Sequence, residues 1–223
     1  MCASNDYPAI ALEALQKAWT ATAKDYDLRR LNSERCVQAS IYHHLRRKLK
    51  RPEFTIYIEP YLSIGDAKPC YLDMLVAHGG NVVLALELKY KPNSKPSRRS
   101  VAADLSKLVQ LKNRRASADQ TGIHIRRFLS EKTEKLTLGV APRSIAVFAA
   151  YVKEGAFPTT RKSFWAEHRE VTVGSNGRVL NSMPNRLVTL IAATKIDGKA
   201  SAVTWAKPKT ALRLGQPTRS GAA

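Results

Sequence analysis

The chain has 223 residues, with 37 Lys or Arg against 18 Asp or Glu, so it carries a formal charge of +19 and an isoelectric point near 10.1. That length suits one domain with a sizeable core, and that charge favours a polyanion, nucleic acid first and an anionic membrane surface second. Three scattered cysteines (Cys2, Cys36, Cys70) exclude a disulfide framework or zinc cluster and point to a reduced, cytoplasmic protein; with no leader segment and no apolar run near the ~20 residues of a membrane span, neither secretion nor insertion is expected.

Tyr7 to Ala23 carries Ile10, Leu12, Leu15, Ala18 and Trp19 at helical spacing behind Pro8, and Asp25 to Arg30 reads as a polar break. A second helix follows from Ser33 to Leu49, with Val37, Ile41, Leu45 and Leu49 as its buried stripe and Glu34 and Gln38 near its start. Glu34 suits the first turn electrostatically, with Ser33 or Asn32 as cap. Arg46, Arg47, Lys48, Lys50 and Arg51 exceed what a helix dipole asks for, which leaves phosphate contact or a solvated helix end. The adjacent His43 and His44 lack the i,i+4 spacing that chelation needs.

Phe54 to Ile64 predicts a strand with an edge position or a bend at Pro60, and with Glu59 either exposed or turned toward an acidic cluster. Tyr71 to Lys91 predicts two antiparallel strands joined at His-Gly-Gly-Asn. Asp73 interrupts the first apolar run, Glu87 and Lys89 the second, where isolated charge is costly unless paired or metal-bound. Strand alternation puts Glu87 and Lys89 on one face and Leu84, Leu86 and Leu88 on the other, so one face reads as core and one as site. A cross-strand ion pair on a solvated face is the plainer alternative.

Lys91, Lys95, Arg98 and Arg99 lie in a basic loop suited to tracking phosphates. Val101 to Arg115 predicts a third helix, with Val101, Leu105, Leu108 and Leu111 or Lys112 as its stripe and Asp104, Lys107, Gln110 and Arg114 on other faces. Ile123 to Lys135 has a helical tendency, whereas Arg143 to Val152 is the apolar run of a strand covered on both sides. Strand, helix, strand implies a crossover and a mixed sheet. Glu170 to Leu180 predicts a hairpin turning at Asn176-Gly177; Leu187 to Ile196 and Ala202 to Trp205 complete the apolar segments. Residues 1–206 read as one domain and 207–223 as a disordered basic tail.

Asp73 with Glu87-Leu88-Lys89, the chain's single Glu-x-Lys, resembles the PD-(D/E)xK (restriction-endonuclease-like) nuclease superfamily over roughly residues 33 to 152, with Leu72 where that motif often has Pro. The resemblance implies an α/β fold, a mixed central sheet flanked by helices in an αβββαβ core. It implies a metal-dependent DNA endonuclease using Mg²⁺, with Mn²⁺ as a substitute, held by Asp73, Glu87, the Leu88 carbonyl and Glu34. Lys89 would position water and stabilise the developing charge, and Lys107 and Gln110 on the following helix could offer polar groups. DNA is the expected partner, alongside a homodimer mate or a partner protein that supplies specificity. A non-catalytic nucleic-acid-binding subunit and an RNA nuclease are the alternatives; aromatic content of 7% advertises no base stacking, and no Gly-x-x-x-x-Gly-Lys loop is present.

Such a site makes a geometric demand. A two-residue Gly79-Gly80 turn pairs His78 with Asn81 and puts Asp73 opposite Leu86, on the leucine face. Sharing a face with Glu87 therefore requires an odd-length loop or a β-bulge, and the expected result is an Asp73 and a Glu87 close enough to share one ion, with Glu34 facing them.

Overall fold

The computed structural model describes residues 6–28, 30–63, 69–113, 123–129, 132–153, 155–157, 172–173, 178–179, 187–194 and 203–205. The expected tail at 207–223 and the turn at Asn176-Gly177 lie outside these.

Helix α1 (Tyr7–Asp27) starts where the Asp6 side chain accepts the Ala9 N–H, with Pro8 in the first turn. It extends to Asp27, three residues into the Asp25 to Arg30 stretch expected to break it, because Tyr26 packs against Tyr90 and Tyr151 and so anchors the last turn. Helix α2 (Glu34–Lys48) is capped by Ser33, whose Oγ accepts the Cys36 N–H at 3.2 Å; Val37, Ile41 and Leu45 are fully buried, as their spacing demands.

The segment from Phe54 is two strands, β1 (Phe54–Ile58) and β2 (Tyr61–Ser63), separated at Glu59-Pro60, where Glu59 has φ of 47°. Beyond them come β3 (Cys70–Tyr71), β4 (Met74–His78) and β5 (Asn81–Lys91). Helix α3 (Arg98–Asn113) begins earlier than its apolar stripe, because the Ser97 hydroxyl accepts the Ser100 N–H and caps it. The segment expected to be helical is instead strand β6 (Ile123–Leu129) and the start of β7 (Lys132–Lys153). The two pair antiparallel along the whole of β6, and this ladder overrides a weak local preference. The remaining strands are β8 (Thr172–Val173), β9 (Arg178–Val179), β10 (Leu187–Thr194) and β11 (Val203–Trp205), with β8 and β9 paired as the expected hairpin.

The sheet is mixed. β1 pairs antiparallel with β4 and β4 with β5, while β5 and β10 both run parallel to the second half of β7. The parallel pairs follow from crossovers, and α3 leaves β5 on the first of them. Helices cover both faces. On one, Trp19, Ile41 and Leu45 pack against Met74, Leu84, Leu86, Leu88 and Tyr151; on the other, Val101, Leu105 and Leu108 of α3 pack against Leu75, Ala85, Phe148 and Ala150. The face carrying Glu87 is thus also core rather than an open site face, because α3 closes over it. Each fully buried Leu or Phe here contributes about 1.5–3 kcal/mol. No helix among the described residues is long and apolar enough to cross a membrane.

Candidate active site

The β4–β5 hairpin solves the register problem with a bulge. Its turn is the two-residue kind, His78 opposite Asn81, with Gly79 at φ 54° and Gly80 at φ 77°, the doubly positive geometry that two glycines accept freely. Ala77 pairs with Val82 but Val76 pairs with Leu84, so Val83 is an extra residue. Val83 and Leu84 consequently pack into the same core, the one beneath α1 and α2, while Val82 and Ala85 face α3. Parity changes at that one residue. Beyond it Met74 lies opposite Leu86, and the next step of the register sets Asp73 against Glu87.

Strand β4 ends at Met74, yet β5 continues to Lys91, which leaves the N–H groups of Leu88 and Tyr90 without a strand partner on that edge. Carboxylates take their place. Asp73 Oδ2 accepts the Leu88 N–H at 2.5 Å, and Glu34 Oε2, reaching over from α2, accepts the Tyr90 N–H at 2.9 Å. The Leu88 carbonyl projects from the same edge, as the carbonyl of any strand residue shares the side of its own N–H. Asp73 is itself held by its backbone: its carbonyl accepts Gln38 Nε2 at 2.6 Å and the Glu59 N–H at 3.0 Å. The bend at Glu59-Pro60 serves that contact. The Glu59 side chain is exposed and joins no acidic cluster.

From the other face α3 supplies an aspartate and a lysine one helical turn apart. Asp104 is buried rather than surface decoration, with Oδ2 2.7 Å from Lys89 Nζ and Oδ1 3.4 Å from Lys107 Nζ. Lys107 Nζ also reaches Glu87 Oε1 at 2.9 Å and the Tyr71 carbonyl at 3.1 Å. Gln110 hydrogen-bonds Ser106. Asp104 was hidden in the sequence because its helical position is one step off the apolar stripe; the lone acid between Val101 and Leu105 was the available signal.

The electrostatics are those of crowded acid. Burial, then the Asp73 and Asp104 charges, push Glu87 up to about 9 despite its bond to Lys107. Asp73 is raised by burial and by Asp104, against the lowering effect of the Leu88 N–H and of a direct side-chain contact with Glu87. Glu34 is also raised, chiefly by burial. Burial lowers Lys89 and Lys107, but their acidic neighbours outweigh it and both end above the ordinary lysine value. With all of them ionised, Glu34, Asp73, Glu87 and Asp104 set four carboxylates against the ammonium groups of Lys89 and Lys107, a deficit of two positive charges; with Glu87 protonated the deficit is one.

The chain matches no family model, no curated protein and no solved structure. Two neighbouring carboxyls, a carbonyl on the same edge and, once Glu87 gives up its proton, a missing charge of +2 fit Mg²⁺, which takes one or two carboxylates and keeps several waters. Among the described residues no group of three or more His, Cys, Asp or Glu side chains is gathered to hold an ion. Glu34 stands on the same edge, engaged by the Tyr90 N–H.

The basic residues fall in two places. Lys91, Lys95, Arg98 and Arg99 occupy the segment that carries β5 into α3, and all four are exposed. That segment is structured by a Lys91–Ser94 turn and by buried Pro96. Arg46, Arg47, Lys48, Lys50 and Arg51 lie at the far end of α2 from Glu34, and Arg46 Nη1 caps the Leu49 carbonyl at 3.4 Å. His43 and His44 meet edge to face, and His44 Nε2 turns to Asp25 Oδ2 at 2.8 Å.

Proposed function

We propose that this protein is a metal-dependent nuclease that hydrolyses phosphodiester bonds in DNA, built as a single domain over residues 1–206 around a restriction-endonuclease-like core. The observation that carries the reading is the meeting of the half-buried Asp73 and buried Glu87 carboxyls where β5 runs on past the end of β4, with Lys89 two residues beyond.

Asp73, Glu87 and the Leu88 carbonyl would hold Mg²⁺ or Mn²⁺, which supplies Lewis-acid polarisation of the phosphate and a more acidic water. Lys89 and Lys107 bring positive charge to the place where phosphoryl oxygens gain negative charge, and Asp104 holds both ammonium groups in position. A water oxygen bonds to phosphorus as one ester P–O bond breaks, and the departing oxygen takes up a proton. Gln38 keeps Asp73 aimed through its carbonyl.

Lys107 favours a second reading, because its ammonium already engages Glu87 Oε1 and offsets part of the acid without any metal. On that reading the chain is a nucleic-acid-binding subunit that keeps the scaffold. Incubating the full chain with plasmid, linear, branched and single-stranded DNA, and with RNA, in Mg²⁺, Mn²⁺ or EDTA separates the two. Metal-dependent cleavage lost in Asp73→Asn, Glu87→Gln and Lys89→Ala supports the nuclease; binding with no cleavage of any substrate supports the subunit, and cleavage of RNA alone reassigns the substrate.

A further inference from the structure

The outer surface of the α1–α2 pair holds a feature that the acidic cluster does not use. A cavity of about 640 Å³ opens between the two helices, lined by Lys17 and Thr20 of α1, His44, Arg47 and Lys48 of α2, and Lys50 just beyond it. Arg47, Lys48 and Lys50 are exposed and form no ion pair among the described residues, so they crowd one concavity with nothing to neutralise them. Lys17 is shared with Glu13 at the rim. Asp25 is engaged by the His44 ring, Ser40 and Arg30, so that this acid is already occupied. Like charges held together in this way repel one another unless an anion joins them.

We propose that this groove is a phosphate-binding site that grips the backbone of a nucleic acid strand away from the point of cleavage; calling the polymer a nucleic acid rests on the nuclease reading. Lys and Arg side chains supply the charge, and the Arg47 guanidinium supplies hydrogen bonds that phosphate oxygens accept. The lining has no Trp, Tyr or Phe ring for a base to stack on, and its one ring, the His44 imidazole, is held by Asp25. It therefore recognises backbone without sequence. Thirteen residues of α2 separate Glu34 from Arg47, or about 20 Å at 1.5 Å per residue. A strand crossing that distance at 3.4 Å per phosphate covers it with about six nucleotides.

The test uses the full chain in EDTA, so that nothing is cut, and a fluorescent 20-base-pair duplex titrated across a range of salt. Replacing Lys17, Arg47, Lys48 and Lys50 together by Ala should weaken binding at low salt at least about tenfold and flatten the log–log salt slope by about 0.9 for each cation that had met a phosphate. Lys24→Ala, an exposed cation of α1 outside the groove, should change neither. An unchanged melting temperature for the fourfold variant shows that its loss is not unfolding. Duplex binding by that variant within twofold of the parent would overturn the proposal. So would tighter binding of the parent to phosphatidylserine vesicles than to the duplex, since the occupant would then be a membrane. The two readings fail separately: normal binding by the fourfold variant beside an inactive Asp73→Asn protein removes only the groove, and lost binding beside a fully active Asp73→Asn protein removes only the proposed active site.

Discussion

Asp73 accepts the backbone N–H of Leu88 through Oδ2 at 2.5 Å, so the side chain proposed to hold metal also stands in for the missing length of β4. The two duties separate by substitution. Asp73→Asn keeps an oxygen for the Leu88 N–H and should fold normally, while cleavage falls at least about 100-fold, because even residues behind a metal ligand cost 10–100-fold when changed. Asp73→Ala leaves that N–H unpaired, at about 1–3 kcal/mol, and should lower the melting temperature by about 2–12 °C as well. Thermal melts beside a nicking assay read both.

The second expectation is a pH effect on stability. Glu87 titrates at about 9 in the fold against an ordinary 4.5, so the folded chain holds a proton that the unfolded chain has released. Its contribution is complete below pH 4.5 and is lost as pH rises toward and through 9. Without metal, the melting temperature should decline across that window, and added Mg²⁺ should flatten the decline by favouring the ionised form. Glu87→Gln should remove the slope and raise stability at pH 8–9 by roughly 1–2 kcal/mol, about 2–8 °C. Melting curves at several pH values, with and without Mg²⁺, decide it; an alkaline rise in stability would contradict the assigned proton.

Asp104 offers a third test. It is the leading ion partner that opposes the effect of burial on Lys89 and, after Glu87, opposes it on Lys107. Asp104→Asn keeps the shape and removes the charge, so both lysines should lose protons at lower pH. The alkaline limb of the cleavage profile should then move down, with a drop in rate of about 10–100-fold at neutral pH. Asp104→Ala should move the limb likewise and add a loss of stability. An unshifted limb in both variants would show that Asp104 does not set the charge of these lysines.

The fourth concerns the turn. Gly80 sits at φ 77°, where a Cβ costs about 1–2 kcal/mol, so Gly80→Ala should lower the melting temperature by about 2–8 °C. Gly79→Asn should be nearly neutral, since Asn-Gly suits the same turn. No atom lies near either glycine for a Cβ to strike, so backbone strain alone is measured.

Much of the scaffold was legible in the chain because it follows from local periodicity. The stripes Val37-Ile41-Leu45 and Val101-Leu105-Leu108 are buried as their spacing requires, and the apolar run from Arg143 supplied the covered core of β7. The parity rule for side chains along a strand was enough to demand a bulge or an odd loop before the hairpin could set Asp73 against Glu87. The Asp73, Glu87 and Lys89 cluster was legible for the same reason: charges inside apolar strands stand out against their background.

Tertiary structure decided the rest, because those outcomes depend on partners distant in the chain. Nothing local marks Val83 as the extra residue, since it is one Val in an apolar run and only its pairing with β4 and β7 exposes the irregularity. Ile123 to Leu129 became strand because β7 was there to pair with it. Asp104 and Lys107 entered the site because α3 crosses the face that carries Glu87, whereas helical periodicity alone had left them on the outside. Sequence determined which residues have a charge to place; the crossing of helix and strand determined which charges meet, because burial and Coulomb energy depend on separations in space.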